Sequence, residues 1–121
     1  FIEIPCSYLL RSRRFDDFMV YFWGMFTNRL FGVRVKIQGL ENIPKEKGCL
    51  FLFNHASFFD IFALAEAIPG IRFGGKEELF KIPIFGSVMR RVGMLEIARD
   101  RREEVFRVYE AAQKRFALGE K

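Results

Sequence analysis

The chain has 121 residues, half of them hydrophobic and 16 of them Phe, with a formal net charge of +5. A length of this order fits one domain around a single core, and the basic balance points to an anionic partner. Lys and Arg are scattered rather than gathered into a basic stripe interleaved with exposed aromatics, which argues against a nucleic-acid-binding module.

The chain begins at Phe1, so we expect it to be a piece of a longer protein. Its two cysteines, Cys6 and Cys49, suggest neither a disulfide framework nor a zinc site, and a reducing compartment is expected. No stretch reaches the roughly 18 to 20 apolar residues that a spanning helix needs. The longest, FMVYFWGMF at residues 18–26, follows Arg13, Arg14, Asp16 and Asp17, a flank unlike that of a signal peptide. The pattern predicts a helix over residues 8–31, carrying Tyr21, Trp23 and several Phe, with Arg11, Arg13, Arg14 and Arg29 near its ends. Such a mixture suits an amphipathic helix at a membrane interface, rings at headgroup depth and cations near lipid phosphates. The alternative is a helix packed on the domain with its aromatics as core. Because the segment is apolar on more than one stripe, the interface reading is preferred. Residues 1–31 are therefore read as a membrane-associating helical segment, and 32–121 as a separate unit.

Beyond residue 31 the period changes. RVKIQG (34–39) alternates polar and apolar side chains and predicts a half-exposed strand. A polar loop follows through Pro44 and Gly48. CLFLFN (49–54) is a continuous apolar run, as expected of a strand covered on both faces. A helix is predicted over 58–67, stopped by Pro69 and Gly70, then a short strand at 71–75. Residues 76–93 read as two short helical pieces split around Pro83 and closed by Gly93, and residues 94–98 as a fourth strand. Apolar side chains at 105, 108, 109, 112 and 116 mark an amphipathic helix over 101–119, with Gly119 as its stop. Strands alternating with helices predict an α/β fold with a mostly parallel sheet flanked by helices.

In such sheets ligands bind beyond the carboxyl ends of the strands. Asn54 and His55 stand at that end of the predicted second strand, and His55 is the only histidine in the chain. On one straight helix, five residues would leave His55 and Asp60 about 140° apart. Across a strand-to-helix turn they can meet, and the helix dipole favours a carboxylate in the first helical turn. An aspartate accepting from one ring nitrogen leaves the other free to take a proton. Ser57 is read as a helix cap rather than a nucleophile. A His–Asp base with no protein nucleophile beside it suggests activation of a substrate hydroxyl attacking an activated carbonyl.

Three blocks carry a resemblance. Asn54, His55, Ser57 and Asp60 form Asn-His-x-Ser-x-x-Asp; Lys76, Glu78, Leu79, Pro83 and Gly86 form Lys-x-Glu-Leu-x-x-x-Pro-x-x-Gly; Gly93, Ile97 and Arg99 form a glycine-strand-arginine block. In this order, over about residues 34 to 118, the chain resembles the glycerophospholipid acyltransferase family, which acylates glycerol 3-phosphate and lysophosphatidic acid. The resemblance makes 32–121 a partial acyltransferase domain. It implies that His55 is the general base and Asp60 its orienting partner, with Asn54 and Ser57 supporting them. It also implies that Arg99 binds the acceptor's phosphate, where a planar guanidinium can bind bidentately, and that Lys76 adds to the same positive field. For Arg99 the alternative is an ion pair with Asp100 or Glu103; for Lys76 it is a solvated side chain at a helix start. Glu78 and Pro83 are read as shaping the turn between short helices.

Ala98 departs from the family, whose members often carry an acidic residue just before that arginine. A Phe-Pro-Glu-Gly-Thr-Arg block, expected on a strand after the helix ending near Leu118, is not reached, so these 121 residues alone are expected to be inactive. The donor implied is an acyl thioester (acyl-CoA or acyl carrier protein), with no further cofactor and no metal. The acceptor is lysophosphatidic acid or, alternatively, glycerol 3-phosphate or another lysophospholipid. An anionic membrane surface, at the cytoplasmic face, is the expected location. A non-catalytic membrane-associated binding domain is the reading from another class.

Overall fold

The computed structural model describes residues 13–117. Cys6, residues 8–12 of the first predicted helix and the stop at Gly119 lie outside the described residues. Helix α1 spans Arg13–Leu30. It ends in a Schellman-type closure, in which the N–H of Gly32 donates to Arg29 O (3.1 Å) and that of Val33 to Asn28 O (2.7 Å). Gly32 has φ 70°, a conformation that costs glycine little. After a short 3-10 turn at Leu40–Asn42 come α2, Phe59–Ala67, and strand β1, Gly74–Lys76. Two short helices follow, α3 at Glu77–Phe80 and α4 at Phe85–Arg91. Strand β2, Leu95–Ile97, leads into α5, Arg102–Ala117. Helix α5 carries Glu103 and Glu104 in its first turn and Lys114 and Arg115 in its last, the arrangement a helix dipole favours.

Strands β1 and β2 pair in parallel, with Gly74 opposite Leu95, Gly75 opposite Glu96 and Lys76 opposite Ile97. This small parallel sheet with its helices is compatible with the expected α/β class, but two predicted strands are absent. Residues 34–39 and 49–54 join no ladder among the described residues. Alternation and apolar runs report which side chains want cover, whereas a strand also needs a partner backbone roughly 4.8 Å away. The run 49–54 lacks that cover as well: Leu50 is 63% and Leu52 87% exposed. The amphipathic stripe expected on α5 holds at Ala112, which is buried, and fails at Tyr109, which is exposed.

Packing follows small residues. In α4, a Cβ on Gly86 would sit 1.9 Å from Phe80 O, so only glycine lets α4 fold back on the end of α3. That contact explains the spacing of Gly86 behind Glu78 and Pro83. Pro83 and Ile84 make the corner, with the Phe85 N–H donating to Pro83 O at 2.7 Å and Ile84 held at φ 68°. Val20, Ala65 and Val92 form the centre of the core, with Phe73, Val88 and Met94 packed against them.

Helix α1 resolves the choice between a packed and an exposed helix by being both, with its faces reversed. The buried stripe is Asp16, Val20, Gly24 and Asn28, while Phe18, Phe22, Phe26 and Leu30 point outward. Phe18, Phe22 and Phe26 stack along the helix with ring centroids about 6 Å apart. Inward ties are mostly polar. Asn28 donates to Glu66 (2.8 Å), Asp16 pairs with Arg91 (3.2 Å) and Asp17 with Arg72. Trp23 meets Phe62 edge-on at 4.6 Å. Among the described phenylalanines only Phe62 and Phe80 are buried.

At the crossing of α1 and α2, a Cβ on Gly24 would lie 2.7 Å from Phe62 O, 2.8 Å from Ala65 Cβ and 3.0 Å from Glu66 N. Two of these are backbone atoms that cannot step aside. We therefore expect Gly24→Ala to destabilise the fold by about 1–3 kcal/mol, the usual cost of overpacking a close contact, as read from chemical denaturation midpoints. A neutral or stabilising result would mean the helices are not in contact there.

Candidate active site

Residues 48–56 carry no regular secondary structure, and the chain then turns into α2 at Phe59. The turn is organised by one carboxylate oxygen. Asp60 Oδ2 accepts from the backbone N–H of Ala56 (2.8 Å) and of Ser57 (2.9 Å), and it lies 3.3 Å from His55 Nδ1. The Asp60 N–H in turn donates to Ser57 O (3.0 Å), and Ser57 Oγ accepts from the Phe59 N–H (3.2 Å). Ser57 is not the helix cap that the sequence reading expected: the N-cap is Phe58, which makes no side-chain cap hydrogen bond, and Ser57 Oγ reaches only the Phe59 N–H, while the Asp60 carboxylate holds the turn from the other side. Two backbone donors on one carboxylate give this turn its shape, and His55 is carried into place beside them.

An ionised carboxylate only accepts, so Nδ1 of His55 is the donor of that contact, and in the neutral ring Nε2 keeps its lone pair. The His55 side chain is 52% exposed. The ring is flanked by Phe53, edge-on at 5.7 Å. Asp60 is held below its ordinary carboxyl value of 3.8, first by the Ser57 N–H and then by the Ala56 N–H, with His55 a smaller contributor. Asn54 is exposed and makes no hydrogen bond among the described residues.

A second group of expected residues gathers elsewhere. A cavity of about 180 Å³ opens at the carboxyl ends of β1 and β2, lined by Lys76 to Glu78 on one side and Ile97 to Arg101 on the other. Lys76 is the last residue of β1 and Arg99 lies two residues past the end of β2, so the parallel ladder delivers both to one rim. Neither makes an ion pair with a carboxylate among the described residues. The alternative pairing of Arg99 with Asp100 or Glu103 is therefore not formed there. Glu78 also lines the cavity. No hydrogen bond or ion pair among the described residues joins His55 and Asp60 to Lys76 and Arg99.

The sequence reading overlooked Glu77 and Arg101. Glu77 accepts from Lys81 Nζ (2.8 Å) and from Arg101, whose guanidinium also pairs with Glu104 (3.2 Å). Lys81, hydrogen-bonded first of all to Glu77, is raised above its ordinary value, and Glu77 is lowered. The Glu77–Lys81 pair has the i,i+4 spacing that a helix search finds. The Glu77–Arg101 pair spans 24 residues and has no local signal.

Residues 34–121 match the family model described as Acyltransferase. The chain belongs to the acyltransferase family. It is 34% identical over 95 residues to a chloroplastic 1-acyl-sn-glycerol-3-phosphate acyltransferase of Brassica napus, covering 77% of this chain and 27% of that protein. Over 86 residues it is 34% identical to the 1-acyl-sn-glycerol-3-phosphate acyltransferase of Pseudomonas aeruginosa, covering 68% of this chain and 33% of that one. The chain thus spans about a quarter to a third of the length of these curated relatives. No solved structure matches it significantly. The matched region of this acyltransferase-family chain begins just after α1 and takes in both the His55–Asp60 turn and the cavity.

The lowered Asp60 carboxyl has a pH consequence. Its folded value lies below the unfolded one, so the stabilisation it lends the turn is present above the unfolded value and is lost as pH falls through the folded one. We expect the Ala56 and Ser57 amide resonances to titrate with a midpoint below 3.8 and to lose that titration in Asp60→Asn. A midpoint at or above the ordinary value would show that the carboxylate does not hold the turn.

Proposed function

We propose that the protein carrying this chain transfers a fatty acyl group from an acyl thioester to the free hydroxyl of lysophosphatidic acid. The observation that carries this reading is the solvent-open imidazole oriented through Nδ1 by Asp60. Nε2 takes the hydroxyl proton as the alcohol oxygen attacks the thioester carbonyl. The new C–O bond forms, the C–S bond breaks, and the proton held on the imidazole passes to the departing thiolate. No protein nucleophile is needed. Lys76 and Arg99, two uncommitted cations on one rim, are suited to the acceptor's phosphate. The names of the relatives support lysophosphatidic acid over glycerol 3-phosphate or another lysophospholipid as acceptor.

The outward Phe18, Phe22, Phe26 and Leu30 row belongs to the same reading. No helix among the described residues is long and apolar enough to cross a membrane. A row of stacked rings with Arg14 and Arg29 exposed near its two ends suits an anionic bilayer surface, where rings enter the interface and cations meet phosphates. Both acceptor and product are lipids, so a site held against the bilayer receives and releases them without passage through water. We take residues 1–31 as the membrane-facing unit and 32–121 as part of the catalytic domain.

In the complete protein, His55→Ala should lower kcat by about 10² to 10⁴ with an unchanged melting temperature, measured with an acyl thioester and lysophosphatidic acid. Unchanged turnover would remove His55 from the reaction. Acceptor binding without turnover in the wild type would instead favour a non-catalytic lipid-binding domain. For the membrane face, replacing Phe18, Phe22 and Phe26 together by Ser should cut flotation with phosphatidylglycerol-containing vesicles at least about tenfold, since each buried ring is worth roughly 1.5–3 kcal/mol. Flotation at the wild-type level would assign those rings to another partner.

A further inference from the structure

We propose that Glu77 and Arg101 form a positioning clamp that sets the spacing of Lys76 and Arg99, so that both cations reach one phosphate group. The inference rests on the acyl-transfer reading for the identity of that phosphate, and on the structure for the clamp itself. The sheet holds its two strands together over three residue pairs and ends at Lys76 opposite Ile97. Beyond that pair the backbone enters α3 on one side and the loop before α5 on the other. Across this gap runs the Glu77–Arg101 ion pair. Glu77 directly follows Lys76 and Arg101 lies two residues past Arg99, so fixing the clamp fixes the two cations beside it.

Arg101 is a poor candidate for a phosphate ligand in this arrangement. One terminal nitrogen is engaged by Glu77 and the other by Glu104. Along the cavity wall, Lys76, Arg99 and Arg101 face Glu77, Glu78 and Asp100, three cations against three carboxylates. An arriving phosphate therefore finds Lys76 and Arg99 as the cations not already bound by a carboxylate. Glu77 is held from its other side by Lys81, so it stays in place when Arg101 is removed.

The two possible roles give opposite signs. Removing a negative charge from beside a phosphate should tighten binding if electrostatics alone operates. Loss of a spacer should weaken it. In the complete protein we expect Glu77→Gln to raise the KM for lysophosphatidic acid about fivefold, the scale of one well-placed surface ion pair. Its kcat should stay within about twofold and its melting temperature should be unchanged. Arg101→Gln should do the same, and the double variant should be no worse than either single one. Glu77→Asp should recover part of the effect. Glu104→Gln, which leaves the bridge intact, should not raise KM. Should Glu77→Gln lower KM or leave it unchanged, the clamp is overturned. It is equally overturned if Arg101→Gln costs much more than Glu77→Gln, which would make Arg101 a direct ligand. The same series is read by the Kd for glycerol 3-phosphate from phosphorus NMR, which needs no turnover. Wild-type binding without acyl transfer would sink the reaction proposed above while leaving the clamp to be judged on Kd, and absence of any phosphate binding would overturn the clamp.

Discussion

One oxygen atom governs the geometry of the histidine. Asp60 Oδ2 gathers the N–H groups of Ala56 and Ser57 and lies within reach of the His55 ring. A turn with unpartnered amides would have to find water or open up, because backbone donors need acceptors. With the carboxylate in place the turn closes, α2 begins, and the imidazole is brought to the carboxylate's open side. The interactions that build the turn also lower the Asp60 carboxyl, so charge and shape reinforce each other. Orientation of the ring is thus a by-product of how the backbone turns.

Around that turn the molecule is built from close approaches and ion pairs more than from a deep core. Gly24 lets α1 and α2 cross backbone to backbone, and Gly86 lets α4 lie on the end of α3. Asp16, Asp17 and Asn28 face inward to meet Arg91, Arg72 and Glu66. Polar groups on the inside of α1 free its aromatic side for the outside. The reversal is costly in water, since exposed rings gain nothing there, and it is the feature on which the proposed membrane face rests. It also ties the proposed membrane-facing helix to the histidine's helix as one packed pair, so the site would be carried at a set height rather than on a tether.

The cavity obeys a different rule. Parallel strands deliver their carboxyl ends to one side, which is why Lys76 and Arg99, 23 positions apart in the chain, share a rim. Three residue pairs are a short ladder, and the charges beyond its end are the natural means of keeping that rim from spreading.

Much was legible in the chain itself. Helical segments emerged from periodicity and from stops such as Pro69, Gly70 and Pro83, because these act within a few residues. The meeting of His55 and Asp60 was expected across a strand-to-helix turn; the turn into α2 brings them together, although no strand precedes it among the described residues. Strands were less legible. Residues 34–39 and 49–54 have strand-like patterns without a ladder, since pairing depends on a distant backbone that composition does not name. The two faces of α1 were equally hidden. A pattern apolar on several stripes suggests an apolar face turned inward, whereas the face that packs is Asp16, Val20, Gly24 and Asn28, held by partners on distant segments and by the close approach at Gly24. By itself, then, the sequence determined the local turns, the helices and the family to which the blocks belong. The tertiary structure alone decided the short sheet, the shared rim of Lys76 and Arg99, and the bridge from Glu77 to Arg101, because each depends on contacts between segments more than 20 residues apart.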